Sequence, residues 1–198
     1  MPDLHLEQNF AGKIVAGIDE AGRGPLVGPV FAAAVIIDPD HIITGINDSK
    51  KLSERKREAL FEEIIKCYQY GIGSASTSEI DEINILEATK LACMRAASNL
   101  PTRPDIILVD GNMKFNDPSY ISIIKGDTLS LSIAAASIIA KVTRDRLMQD
   151  LSEQFPGYNW QQNKGYGTQA HVEAIAKLGL TEHHRRSFKV KNQQENIT

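Results

Sequence analysis

The alternation of apolar and polar positions divides the chain into short runs of two kinds. Residues 13–19 (KIVAGID) and 29–37 (PVFAAAVII) are apolar runs joined by a Gly/Pro-rich connection, and they predict two buried strands. From Ser53 onward apolar residues fall at Leu60, Phe61, Ile64, Ile65 and Tyr68, the spacing of an amphipathic helix. Residues 70–76 predict a third strand. Ser78 with Asp81 has capping-box spacing and predicts a helix that runs to about Leu100, where Pro101 and Pro104 end it. Residues 105–110 (DIILVD) and 120–124 (YISII) predict two further strands. A long helix is expected over 129–154, stopped by Pro156, then a loop at 163–168 and a last helix at 169–178.

The first two strands lie too close in sequence for a helical crossover, so they should run antiparallel. The fourth arrives through a helix and can lie parallel to the first. The expected fold class is therefore α/β: a mixed five-stranded sheet flanked by helices, with a small C-terminal helical extension. In such a sheet the carboxyl ends of neighbouring parallel strands open on one crevice. Residues 1–12 and 191–198 are polar and are expected to be flexible ends, leaving 13–190 as a single domain that includes the C-terminal helical part.

Composition narrows the function classes only slightly. Apolar and charged fractions of 42% and 24% are those of an ordinary soluble protein. No apolar run approaches the roughly 20 residues that span a bilayer, and the start MPDLHLEQNF lacks the pattern of a secretory signal, so a cytoplasmic location and no membrane partner are expected. Cys67 and Cys93 fall in predicted helices without zinc-ligand spacing and read as small core residues. The net charge of −3 argues against a nucleic-acid partner until charge is read locally. Residues 50–57 carry five basic side chains and one acidic one, and Arg185, Arg186, Lys189 and Lys191 lie near the end.

The topology brings acids together. Asp19 and Glu20 end the first strand and Asp110 ends the fourth; if those strands are neighbours, three carboxylates converge, and Asp127 before the long helix can supply a fourth. Gathered acids repel unless a cation neutralises them. Oxygen-only ligation favours a hard divalent ion, magnesium or manganese, and a pair of such ions suits in-line hydrolysis of a phosphodiester by water. Plainer readings stand beside this one: Asp110-Gly111 is a good turn dipeptide, and Asp127 before Thr128 can be a helix N-cap.

Gly22, Gly24 and Gly28 follow a strand, but their spacing is G-x-G-x-x-x-G, Pro25 and Pro29 interrupt it, and a strand follows where a dinucleotide-binding helix should open. A tight turn whose backbone can approach a ligand closely fits better, with Arg23 between two glycines beside the acids.

IDEAGRGPLVGPV (18–30) resembles the signature of ribonuclease HII, the bacterial type 2 ribonuclease H family. NDSKKLS (47–53), ILVDG (107–111), KGDTLSLSIAAASIIAKVTRDR (125–146) and NKGYGT (163–168) match in order, so the resemblance covers about residues 13–188. It implies a ribonuclease H-like fold and an endonuclease that hydrolyses the RNA strand of RNA–DNA hybrids. Cleavage 5′ to single ribonucleotides embedded in duplex DNA is also implied, leaving 3′-hydroxyl and 5′-phosphate ends. By matched position it makes Asp19, Glu20, Asp110 and Asp127 metal ligands. It makes Gly22, Arg23 and Gly24 the loop that senses the ribose 2′-hydroxyl, and Tyr166 the ring that packs on the sugar at the junction. Ser49 and Lys50 match phosphate-contacting positions. The sister family ribonuclease HIII carries lysine where Arg23 stands and an added amino-terminal domain, and both points favour HII. A junction resolvase on the same fold would have little use for a 2′-hydroxyl sensor, and a non-catalytic hybrid binder would be weakened by four acids.

On the long helix, Ser130, Ser137, Lys141 and Arg144 lie within about 60° around the axis, a stripe suited to a phosphate backbone. Asp145 is expected to pair with Lys141 or Arg144. His183 and His184 read as exposed and idle. Residues 194–197 faintly resemble a sliding-clamp peptide, and the protein is expected to act as a monomer.

Overall fold

The computed structural model describes residues 1–189. Its strands β1 (Val15–Ala21), β2 (Val30–Ile36), β3 (Gln69–Ala75), β4 (Ile106–Asp110) and β5 (Tyr120–Ile123) form one sheet in the order β3-β2-β1-β4-β5. β2 is antiparallel to β1, with Gly17 opposite Val35, and β4 is parallel to β1, with Val15 opposite Ile106. The helices are α1 (His5–Gln8), α2 (Glu54–Cys67), α3 (Thr77–Ser98), α4 (Leu131–Gln154), α5 (Trp160–Asn163) and α6 (Gln169–Leu178).

Because side chains alternate along a strand, β1 feeds two cores. Ala16 and Ile18 point into the layer shared with α3, where Ala88, Ala92, Cys93 and Ala96 keep helix and sheet close. The other face packs on α4 and α2 through Ala134, Ala135, Ile138, Leu60 and Ile64. The start of α4 presses directly onto β1: a Cβ added at Gly17 would lie 2.3 Å from the Ile133 nitrogen. A third cluster, with Leu26, Val27, Met148, Tyr158 and Trp160, holds the C-terminal part to the turn after β1.

Glu7, in the segment 1–12 expected to be flexible, and residues 183–187 are docked within the described residues, whereas the expected flexible end 191–198 lies outside them. Glu7 reaches the N-terminus of α4, where its Oε1 accepts from the Ser130 hydroxyl at 2.6 Å and from the Ser132 nitrogen and hydroxyl at 3.0 and 2.6 Å. A carboxylate there meets unpaired N–H groups and the positive end of the helix dipole. At the other end, the Gly28 nitrogen donates to His183 O, the Arg185 nitrogen donates to Leu26 O, and Asp81 accepts from the nitrogens of Arg186 and Ser187. His184 and Arg185 are each only 3% exposed, so the reading of His184 as an idle surface residue is corrected.

Smaller expectations shift as well. The capping box on α3 is Ser76 with Glu79, two residues before the expected pair, which leaves Asp81 to hold the C-terminal segment. α3 is broken at Asn84, whose side chain caps the second half through the Leu86 and Glu87 nitrogens. α4 is capped by Ser130, and Asp127 lies in a preceding 3₁₀ turn, Gly126–Thr128. Cys93 is buried as expected, but Cys67 is exposed. Lys191 and residues 194–197 lie outside the described residues. Among the described residues, no helix is long and apolar enough to cross a membrane.

Candidate active site

The parallel pairing of β1 with β4, Ile18 opposite Val109, sets Asp19 beside Asp110, and the 3₁₀ turn before α4 closes over both. One carboxylate oxygen from each of Asp19, Asp110 and Asp127 lies within 4.8 Å of the others. The Asp127 nitrogen, 3.4 Å from Asp110 Oδ1, ties the turn to β4. Burial raises Asp19 well above the usual carboxylate range, and repulsion from Glu20 and Asp110 adds to it. Asp127 is raised by burial and then by Asp110. Three such groups held this close fit a hard cation, which would replace their mutual repulsion with shared attraction.

Glu20, on the other face of the strand, is not one of these three, yet it lies close enough for its charge to act on Asp19 and for Asp110 to act on it. Its Oε1 meets Arg23 Nη1 at 3.3 Å, while Oε2 is buried with no partner among the described residues. Burial raises Glu20, partly offset by Arg23. A buried carboxylate oxygen without a donor is itself suited to a cation.

A cleft of about 370 Å³ opens beside the acids, lined by Asp19, Glu20, the loop 22–24, Ser49, Lys50, Lys141, Arg144 and Tyr166. A larger cavity of about 690 Å³ lies at the opposite ends of β4 and β5, around Arg103 and Tyr120, away from the acids. Gly22 has φ +100°, open to glycine and costly for other residues, and its Cα faces Arg144. Tyr166 rests against Gly24 and stays half exposed. Its carbonyl accepts from His171 Nδ1 at 2.9 Å, and buried Trp160 donates to His171 Nε2 at 2.9 Å, which fixes the imidazole tautomer. Asp48 caps the turn Ser49–Lys51 by accepting from the Lys50 nitrogen, and Arg57 holds that turn through Ser49 O and Leu52 O. For Lys50, burial pulls the ammonium pKa down, but Asp19, Asp48, Asp127 and Asp110 together raise it.

A ribonuclease HII family model matches residues 16–191. The chain is 63% identical over 185 residues to the ribonuclease HII of Rickettsia bellii strain OSU 85-389, covering 93% of this chain and 94% of that one. The chain belongs to the ribonuclease HII family. Among solved structures, it is similar to the RNase HII in a PCNA complex from Archaeoglobus fulgidus, with TM-score 0.74, 31% identity and coverage of 92% of this chain and 98% of that one. The ribonuclease H2 of Pyrococcus horikoshii gives 0.70 and 31%, over 89% and 94% of the two chains. The chain thus has the ribonuclease H-like fold and is a ribonuclease H enzyme.

Of the side chains singled out in the sequence, the structure gathers Asp19, Asp110 and Asp127 into one group. Glu20, Arg23, Gly22, Gly24, Ser49, Lys50, Lys141 and Tyr166 line the adjoining cleft. The helix stripe is not a solvent-facing phosphate surface. Ser130 is buried against Glu7, and Ser137 Oγ accepts from the Ser49 nitrogen and donates to Ala134 O. Arg144 is 1% exposed and donates to Val27 O and Lys164 O. Lys141 and Arg144 of that stripe still line the cleft, and Lys141 is paired to Asp145 at 2.6 Å as expected. Asp48, Arg57, His171 and Trp160, which shape the cleft walls, carry no pattern that periodicity would reveal. Arg185 had one signal, its place between Leu180 and Phe188 in an otherwise polar segment.

Proposed function

We propose that this protein hydrolyses the RNA strand of RNA–DNA hybrids and also cuts 5′ to a single ribonucleotide in duplex DNA, leaving 3′-hydroxyl and 5′-phosphate ends. The observation that carries the reading is the close group formed by Asp19, Asp110 and Asp127 beside a glycine-rich loop and an exposed tyrosine. In this reading those three residues and Glu20 hold a divalent ion, magnesium or manganese. Bound there, such an ion lowers the pKa of an attacking water and stabilises charge on the phosphoryl oxygens.

The chain's own groups do the rest. Lys50, Lys141 and the Ser49 turn hold the phosphate backbone, and charge makes that grip sensitive to salt. Gly22 and Gly24 let the main chain approach the sugar, where N–H groups can bond a 2′-hydroxyl that DNA lacks. Tyr166, leaning on Gly24 and fixed through His171, stacks against the neighbouring deoxyribose. Such an enzyme acts as a monomer in the cytoplasm and serves removal of ribonucleotides from DNA. A sliding clamp as partner has its support in the PCNA complex of the Archaeoglobus relative, and deleting residues 194–197 tests it.

The test is cleavage of two duplexes that differ in one 2′-hydroxyl, with and without magnesium or manganese. Cutting only of the ribonucleotide-bearing duplex, only with metal, is expected, and Asp110→Asn should abolish it. Equal cutting of the all-DNA duplex would remove the ribose reading.

A further inference from the structure

The loop 22–28 has a buried side as well as a cleft side. On the buried side, Arg185 gives all three guanidinium nitrogens to loop carbonyls. Nη2 donates to Gly22 O at 2.6 Å, Nη1 to Arg23 O at 3.0 Å and Nε to Gly28 O at 2.9 Å. No carboxylate forms a salt bridge with it among the described residues. Burial, and then the nearby Arg144 charge, hold its pKa down to about 9, with Asp81 offsetting part of this. A buried cation without an anion is a poor way to stabilise a fold, since apolar packing achieves the same at lower cost. Its geometry suggests another use.

In a trans peptide the carbonyl and the following N–H point in opposite directions. Turning Gly22 O and Arg23 O onto Arg185 therefore aims the N–H groups of Arg23 and Gly24 away from it. Neither N–H is hydrogen-bonded among the described residues. Gly24 also has Tyr166 against it, with a ring carbon 3.3 Å from where a Cβ would stand. A cation on the carbonyl further polarises the same peptide and strengthens its N–H as a donor. The clamp is delivered from the far end of the chain: Val27 and His184 form an antiparallel bridge, and Asp81 holds the two residues that follow Arg185.

We propose that Arg185 is a positioning residue that sets ribose selectivity, by orienting the Arg23 and Gly24 amides toward the 2′-hydroxyl from behind the loop. This rests on the reading of 22–24 as the ribose-contacting loop. It assigns the C-terminal segment a part in recognition although that segment does not line the cleft.

The test uses the Asp110→Asn chain, which should hold a duplex uncut, with magnesium present. The Kd for a DNA duplex carrying one ribonucleotide is compared with the Kd for its all-DNA counterpart. Adding Arg185→Met should bring the ratio of the two about fivefold closer to one, the loss of roughly one hydrogen bond. The all-DNA Kd should stay within about twofold, because the phosphate contacts are untouched. Arg185→Lys, which keeps the charge but offers one nitrogen where the arginine spreads three over the carbonyls, should fall between. In the chain with Asp110 intact, either change should lower kcat on the ribonucleotide duplex by about tenfold or more, since a shift of roughly 1 Å suffices. A lower melting temperature with an unchanged ratio and kcat, measured while the variants are folded, overturns the proposal. If Arg185→Met does not fold, Arg185→Lys carries the same comparison. Absence of any ribonucleotide preference in the Asp110→Asn parent would instead defeat the reading of the loop, so the two failures are distinct.

Discussion

Replacing Asp19 by asparagine should stabilise the metal-free protein while removing its activity. The substitution keeps shape, and the new amide oxygen can still accept from the Glu20 nitrogen, as Asp19 Oδ1 does at 2.7 Å. What it removes is one charge from a group whose carboxylate oxygens lie within 4.8 Å of one another. Two unit charges at that separation repel by about 3.5 kcal/mol at an effective dielectric constant near 20. Asp110 is partly open to solvent and burial already favours the neutral form of Asp19, so about half of one such pair, ~2 kcal/mol, is a reasonable net gain. For a chain of this size that corresponds to a melting temperature about 4–8 °C higher. Melting is followed in chelator at neutral pH and again with excess magnesium. Metal that binds only the folded state should lift the parent protein strongly and Asp19→Asn much less, closing or reversing the gap. The reasoning fails if Asp19→Asn melts at or below the parent in chelator, or if magnesium lifts both equally.

Gly22→Ala should destabilise the protein by about 2–5 kcal/mol, combining a strained positive φ with overpacking. The added methyl would stand 2.3 Å from Arg144 Nε, and Arg144 is too buried to move aside. Chemical denaturation measures this, and a loss under about 1 kcal/mol would show that the loop yields easily. A second expectation concerns acid. Burial, and then His171, hold His184 down to about 4, below its ordinary 6.5. The folded state therefore takes up its proton later than the unfolded one. The stability tied to neutral His184 is complete above pH 6.5 and is lost as pH falls toward 4, by up to about 3 kcal/mol. Relative to the parent, His184→Asn should flatten the fall in melting temperature across that window, and parallel curves would contradict the assignment.

The parts of the site that lie along the chain were legible in the sequence. Asp19, Glu20 and Asp110 stand at the ends of apolar runs, and strand topology allowed β1 and β4 to be parallel neighbours, as they are. Asp127 was offered by its place before the long helix, and the matched motifs supported it and added Tyr166. What local pattern could not show was which polar surfaces would be covered. Ser130, Ser137 and Arg144 do share a helix face, but periodicity does not say whether water or protein lies opposite. Here the cover is Glu7, the Ser49 turn and the Val27 and Lys164 carbonyls, each far away in sequence. The polar N-terminus and the segment around His184 misled for the same reason, since Glu7 and Arg185 make their bonds across more than 100 residues.

The central claim is that Asp19, Asp110 and Asp127 share a divalent ion. A crystal of the protein soaked in manganese, with anomalous diffraction collected, tests it most directly. The account predicts a strong anomalous peak bonded to oxygens of all three aspartates and lost in Asp110→Asn. A peak bound elsewhere, or none at saturating manganese, would contradict it.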